Sequence, residues 1–341
     1  MATTQTLMDM INDIRTEAGG VYADRVPVAT QNNLTDVGGA LLADVDLANQ
    51  FTSVLMNKVA YVVVHAKIFN NPLAMLKKGN KPLGDSVEEI FVNYAKAEQY
   101  DAAGSNLLNR KLPDVKAVYH TMNRQDKYKV TISHAQLSKA FRDYGSFDKF
   151  VSGIISSLYN GANLDEFVLF KQLFKLAIDQ KNIKVKNVSD PTGSVQEATD
   201  FIKALKIVSG GMQFPSELYN AYTEAQSTDT EPVVTFTPLE DQIIVIDNAT
   251  NVALDVDVLA NAFNMSRVEF LARRIVIDAF PDPDIHAVVM DIDWAQIYDD
   301  LFTMRTFKNE EGLYDNYILH IWQTISCSPL VNAVAFKSGT V

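Results

Sequence analysis

Between Ser146 and Gln180 the apolar residues recur at steps of three and four: Phe147, Phe150, Val151, Ile154, Ile155, Leu158, Tyr159, Ala162, Phe167, Phe170, Phe174, Ala177 and Ile178. This spacing predicts one helix of about 33 residues, roughly 50 Å long at 1.5 Å per residue, with Ser146 as its N-cap. So long a stripe needs an equally long apolar partner, and the closing strands predicted at Leu313–Ser326 and Val331–Phe336 supply it. Gly153 and Gly161 weaken such a helix by ~1 kcal/mol each relative to Ala, which points to sites where another backbone comes close.

With 341 residues and 47% hydrophobic content, the chain has material for one large core or two smaller ones. Leu7, Met10, Ile11 and Ile14 mark a short amphipathic helix that Gly19-Gly20 ends; its stripe packs either on its own domain or on a neighbouring subunit. Residues 44–58 read as a further helix and 59–69 as a Val-rich buried strand. From Asn70 to Ile132 the pattern changes. Turn signals (Asn70-Asn71-Pro72, Lys78-Gly79-Asn80, Pro82-Leu83-Gly84, Leu112-Pro113-Asp114) separate short alternating segments such as Val115–Tyr119 and Tyr128–Ile132, which describes a long two-stranded extension. An isolated hairpin is marginal in water, so this extension has to lie on something. Beyond the turn at 189–193, helices (195–208, 257–264) alternate with strands (243–247, 274–278, 287–291), the pattern of a second, α/β domain. Met304–Lys308 and a turn at 309–312 lead into the closing strands.

Charge is unevenly spread. Residues 70–132 hold ten basic and seven acidic side chains, a net of +3, whereas 195–300 hold nineteen acidic and five basic, a net of −14. The overall −12 would repel a phosphate backbone, which argues against a DNA-coating role. A single cysteine, Cys327, cannot form an intrachain disulfide, and five scattered histidines do not make a zinc cage; a reducing compartment and no structural metal are expected. The N-terminus lacks the charged head and apolar stretch of a signal peptide, so the chain is expected to start as mature protein. The most apolar run, 59–69, carries His65 and Lys67 and falls short of the roughly 20 residues that span a bilayer, so a soluble protein is expected.

The sequence carries no recognisable catalytic motif. Lys78-Gly79-Asn80-Lys81 lacks the spacing of a P-loop, Gly210-Gly211 is equally bare, and there is no nucleophile elbow and no paired His for a zinc protease. Cys327, His65 and His320 read as core residues. Asp278, Asp282, Asp284, Asp291 and Asp293 could offer carboxylates to a hard cation, but they lack the central Gly and closing Glu of an EF-hand, and Pro281 and Pro283 make a rigid surface turn the simpler reading. No catalytic residue, cofactor or metal is expected.

Several segments together resemble a known family. They are Asn70-Asn71-Pro72-Leu73, Lys77-Lys78-Gly79, Pro82-Leu83-Gly84 with Glu88-Glu89-Ile90, Gln99-Tyr100-Asp101 and Asn123-Arg124-Gln125. Further on come Leu254-Asp255-Val256-Asp257-Val258-Leu259-Ala260 with Ala262-Phe263-Asn264-Met265, and Trp322-Gln323-Thr324 with Asn332-Ala333-Val334-Ala335-Phe336. In this order, from about residue 24 to the C-terminus, they resemble the major capsid proteins of phi-twenty-nine-like short-tailed bacteriophages. The resemblance implies an α+β fold of the HK-ninety-seven-like capsid type. It would comprise an N-terminal arm (1–45), a peripheral domain (46–194 and 301–341) with an extended loop (69–132) and a spine helix (146–181), and an axial domain (195–300). Some relatives carry a further immunoglobulin-like domain, expected to be absent here.

The resemblance also implies a function: self-assembly into the icosahedral or prolate head shell that encloses a short-tailed phage's double-stranded DNA. Such a protein is no enzyme, belongs to the virion, and is assembled in the host cytoplasm. The implied partners are its own copies in pentamers and hexamers, a scaffolding protein, a portal (connector) protein, packaged DNA on the inner face and head fibres, with no membrane. An encapsulin-like nanocompartment shell, which shares the fold, is the alternative, and a metal-dependent hydrolase using the acidic cluster is a third reading. Because the +3 extension and the −14 domain are complementary, Lys77, Lys78, Lys81, Arg110, Lys111 and Arg124 are candidates for contact with an adjacent subunit.

Overall fold

The structure, a computed structural model, describes residues 7–30, 32–44, 46–51, 54–55, 69–81, 86–100, 102, 108–133, 150, 153–154, 156–225, 231–254, 274–309 and 311–339. The strand expected at 59–69 (apart from Phe69), the helix expected at 257–264 and the cap Ser146 lie outside the described residues. In chain order the elements are α1 (Leu7–Ala18), α2 (Gly20–Arg25), α3 (Leu34–Leu42), β1 (Lys77–Asn80), β2 (Ser86–Val92), β3 (Val115–Thr121), β4 (Arg124–Ser133), α4 (Gly161–Asp179) and β5 (Lys184–Val188). There follow α5 (Val195–Met212), β6 (Gln242–Asp247), α6 (Asn248–Ala253), β7 (Arg274–Ile277), β8 (Ile285–Asp291), β9 (Ala295–Asn309), β10 (Tyr314–Cys327) and β11 (Ala333–Ser338). The chain forms two compact units, one of Met1–Asn71, Gln125–Glu166 and Leu301–Trp322, the other of Pro72–Arg124, Phe167–Asp300 and Gln323–Val341.

In the first unit, Gly19 and Gly20 end α1 at positive φ (56° and 49°), a conformation an L side chain rarely adopts. Ile11 and Ile14 then face a core shared with Tyr22, Val37, Leu41, Phe51, Leu158, Ala162, Tyr317, Leu319 and Ile321. The N-terminal stripe thus packs on its own unit. Polar contacts fix the same turn: Asn12 donates to the Ala29 carbonyl at 3.0 Å and accepts from its N–H at 2.8 Å, while Arg15 Nε donates to the Val26 carbonyl at 2.7 Å. Residues 46–51 and 54–55 are helical, with Phe51 and Leu55 buried.

The long helix departs from a uniform rod. A π-helical turn, Ser156–Asn160, precedes α4. It ends at Asn160, whose Oδ1 accepts the Phe69 N–H at 2.8 Å; Asn163 donates to the Phe69 carbonyl at 2.9 Å, and Asn71 donates to buried Glu166 at 3.0 Å. Three polar side chains on one helical face therefore grip residues 69–71, and the wider turn lies at the first of them. The glycines do not admit another backbone: a Cβ at Gly161 would meet the Tyr128 ring at 3.6 Å, and one at Gly153 would meet nothing within 4 Å.

The second unit is built on a mixed five-stranded sheet, β5-β11-β8-β6-β7. β11 runs parallel to β5 and antiparallel to β8, and β6 is antiparallel to β8 and parallel to β7. Phe201, Leu205, Val208 and Met212 of α5 pack on Ile244, Ile246, Ala287, Val289, Val334 and Phe336. Ser194 caps the N-terminus of α5, its Oγ accepting from the Glu197 N–H at 3.3 Å and donating to the Glu197 carboxylate at 2.8 Å. Phe174 of α4 stacks on Trp294 with centroids 5.6 Å apart and meets Phe280 edge-on at 5.6 Å. The last strand, β11, lies inside the five-stranded sheet, where Val334 and Phe336 pack on α5.

Candidate assembly surfaces

The basic segment after residue 76 is a strand, not a loop tip. β1 pairs in parallel with the start of β9, Lys77 opposite Ile297 and Asn80 opposite Asp299, and Gly79 takes φ 94°. β9 begins at Ala295, well before the expected 304, because its first residues serve β1. The three lysines reach acids of the same chain: Lys77 to Asp299 at 2.8 Å, Lys78 to Asp293 at 2.7 Å, and Lys81 to Asp300 at 3.1 Å. The side chains of Lys81 and Asp300 are 3% and 10% exposed. Thr324 donates to Asp300 at 2.9 Å, Gln323 to Asp299 at 2.7 Å, and buried Arg124 to Gln323 at 2.6 Å. Lys77, Lys81 and Arg124 thus belong to an internal polar network, in which losing one buried partner strands a charge.

β2 and β3 form a separate antiparallel pair, with Glu88 opposite Tyr119, Ile90 opposite Ala117 and Val92 opposite Val115. Burial alternates strictly along both strands, so the pair has two unlike faces. On the inner face Phe91 and Val118 pack against Tyr222, Val233 and Leu330. There too, Lys116 lies over the Tyr222 ring, 5.6 Å from its centroid, and bonds Asp114 at 3.1 Å. At the strand ends Asn93 donates to Asp114 at 2.6 Å and to the Pro232 carbonyl at 2.9 Å, and accepts from the Val234 N–H at 3.1 Å. The outer face is open and largely apolar: Ile90, Val92, Val115 and Tyr119 are exposed, and Tyr94 and Leu112 continue it. Beside it Tyr94, Leu112, Pro113, Pro232 and Val234 line a groove of about 860 Å³. Arg110 is exposed near this end, and Lys111 pairs with Glu98.

The acidic cluster read from the sequence separates. Asp278 goes to Lys171 (2.8 and 2.9 Å), Asp282 to Lys337 (2.7 Å), Asp293 to Lys78, and Asp284 donates its N–H to Asp282 at 3.1 Å. Asp291 accepts from Thr237 at 2.7 Å, and burial raises its pKa. Among the described residues no group of three or more His, Cys, Asp or Glu could hold a metal ion, and no helix is long and apolar enough to cross a membrane. Cys327 is buried, which with nearby Glu89 pushes its thiol up to about 12. His320 is half-buried, and His65 lies outside the described residues.

Residues 11–337 match the family model described as Phi29-like phage major capsid protein. The chain belongs to that family. The major capsid protein of Bacillus phage PZA is 38% identical over 335 residues, covering 98% of this chain and 73% of that protein. That of Streptococcus phage Cp-1 is 32% identical over 336 residues, covering 92% of this chain and 89% of the relative. The capsid structure of Staphylococcus phage Andhra aligns with a TM-score of 0.65 at 16% identity, over 80% of this chain and 85% of that one, a likeness of fold. The family drawn from the sequence motifs is therefore the right one, and a phage major capsid protein is favoured over an encapsulin-like compartment. In this capsid protein the residues that sequence reading missed are Glu89, Asn93, Lys116 and His120. Their alternation along β2 and β3 was legible, but which face lay inward was not.

Proposed function

We propose that this capsid protein builds the head shell of a short-tailed phage by closing pentamers and hexamers around double-stranded DNA. The family match over residues 11–337 carries this reading. The open outer face of β2–β3 supplies a means: its occupant is a second copy of this chain. Seven residues per strand at about 3.3 Å each, on two strands about 4.8 Å apart, offer roughly 220 Å². A stable pair needs about 800 Å² per partner, so this face cannot hold a dimer alone and suits a shell summed from many modest contacts. Arg110 and Lys111 flank that face as contact candidates; Lys111, like Lys77, Lys78, Lys81 and Arg124, also has a partner within the chain.

The same reading assigns 1–45 to an arm, 69–132 to the extended loop, 195–300 to the axial domain, and 46–194 with 301–341 to the peripheral domain. The two compact units cut across this assignment, since 72–124 group with 167–300 and 323–341. A scaffolding protein, a portal protein and head fibres are the proposed partners in the host cytoplasm and the virion, and the net −12 favours a DNA-facing surface that lets the genome slide. Electron microscopy and sedimentation of the purified chain, with and without its scaffolding partner, test the proposal. Closed shells are expected; a chain that stays monomeric at high concentration even with scaffold overturns it.

A further inference from the structure

We infer that the β2–β3 extension is locked onto its own subunit before any neighbour arrives, by a latch of Glu89, His120, Ser326 and Ser328. The latch is a continuous chain of contacts. Ser328 donates its hydroxyl to Glu89 Oε1 at 2.8 Å, Glu89 Oε2 meets His120 Nε2 at 3.1 Å, and His120 Nδ1 meets Ser326 Oγ at 2.9 Å. His120 is 1% exposed and Ser328 fully buried. One neutral tautomer satisfies every atom: Nε2–H donates to the carboxylate, and Nδ1 accepts from the Ser326 hydroxyl. Glu89 comes from β2, His120 from β3, and the serines from the end of β10 and the residue after it, so the chain bolts both extension strands to the body of the second unit.

A two-stranded ribbon alone is marginal in water, so what lies beneath decides whether it is ordered. Here the latch adds to the apolar packing of Phe91 and Val118 and to the Asn93 bonds. Removing one latch member would leave a buried partner unsatisfied, which costs more than the bond itself contributes. The consequence concerns the free subunit: its outer face is already formed, so a binding partner meets a rigid patch and little ordering cost remains. Cys327, between the two latch serines and 6% exposed, is a native reporter, because a buried thiol with a raised pKa reacts only when its cover opens.

The test uses the full chain below the concentration at which light scattering detects particles. It measures the alkylation rate of Cys327 by iodoacetamide and amide exchange in 86–92 and 115–121, with α5 amides as the fold control. The wild type should react slowly and keep both strands protected. Glu89→Ala should raise both rates about 10- to 100-fold and leave α5 unchanged, the scale of a lost charge-assisted hydrogen bond. Should Glu89→Ala also expose α5, Ser328→Ala decides by the same criterion, with an expected rise of about 3- to 10-fold. Wild-type strands that exchange like free peptide, or a folded variant with unchanged rates, overturn the inference.

Discussion

β8 and β2 are both seven-residue strands in the second unit, yet β8 buries six consecutive residues while β2 exposes every other one. β8 lies between β11 and β6 beneath α5, so both its faces are covered by this chain. Among the described residues β2 pairs only with β3 and has its inner face covered, and its outer face carries Ile90 and Val92 into solvent. The five-stranded sheet is complete within one subunit. The extension is covered on one face only.

The largest effect should come from breaking the complete side. Phe201→Ala, beneath β8, removes a fully buried ring that packs edge-on against Phe336 with centroids 5.8 Å apart. It should cost about 3–5 kcal/mol and deplete soluble protomer, read by denaturant unfolding. A variant with near wild-type stability would mean that α5 does not sit on this sheet.

Next, the basic strand separates charge that holds the fold from charge that is merely near an acid. Lys81→Ala strands Asp300, whose side chain is 10% exposed, and should cost about 3–5 kcal/mol. Lys78→Ala loosens a pair whose Asp293 side chain is 66% exposed and should cost about 0–1 kcal/mol. Replacing Lys77, Lys78 and Lys81 together by Glu should therefore lose the folded protomer, not merely slow its assembly. A folded triple variant that cannot assemble would return these lysines to the intersubunit contact.

A smaller effect is set by pH. Burial pushes the Asp282 carboxyl up, but Lys337 and the Asp284 N–H outweigh it and hold its pKa below the usual value. A depressed carboxylate contributes stability that is present above its unfolded value, near 3.9, and is lost as pH falls through the folded value. Asp282→Asn should thus flatten the decline of stability below about pH 4. Unfolding midpoints that fall in parallel for variant and wild type would show that this pair contributes nothing.

Much of the complete side was legible in the sequence. Apolar residues at steps of three and four announce α4, the helical pattern over 195–208 announces α5, and apolar runs announce β6 and β8. These signals are local, written in neighbours along the chain. The place of β11 was hidden because strand order is decided by contacts between distant segments, as when Val334 pairs with Val289. The lysines' intrachain partners were hidden for the same reason: Lys78 and its partner Asp293 are 215 residues apart, and composition does not show which acid a base meets. The π turn left no periodic trace, since its occasion is the grip of Asn160 on Phe69, 91 residues away.

Sedimentation velocity of the double variant Ile90→Glu and Val115→Glu most directly tests whether the extension's outer face joins the copies. Both side chains are exposed, so protomer stability should change by no more than about 0.5 kcal/mol. The account predicts a folded variant that sediments as free protomer under conditions in which the wild type closes into shells. Shells formed by the variant as readily as by the wild type would contradict it.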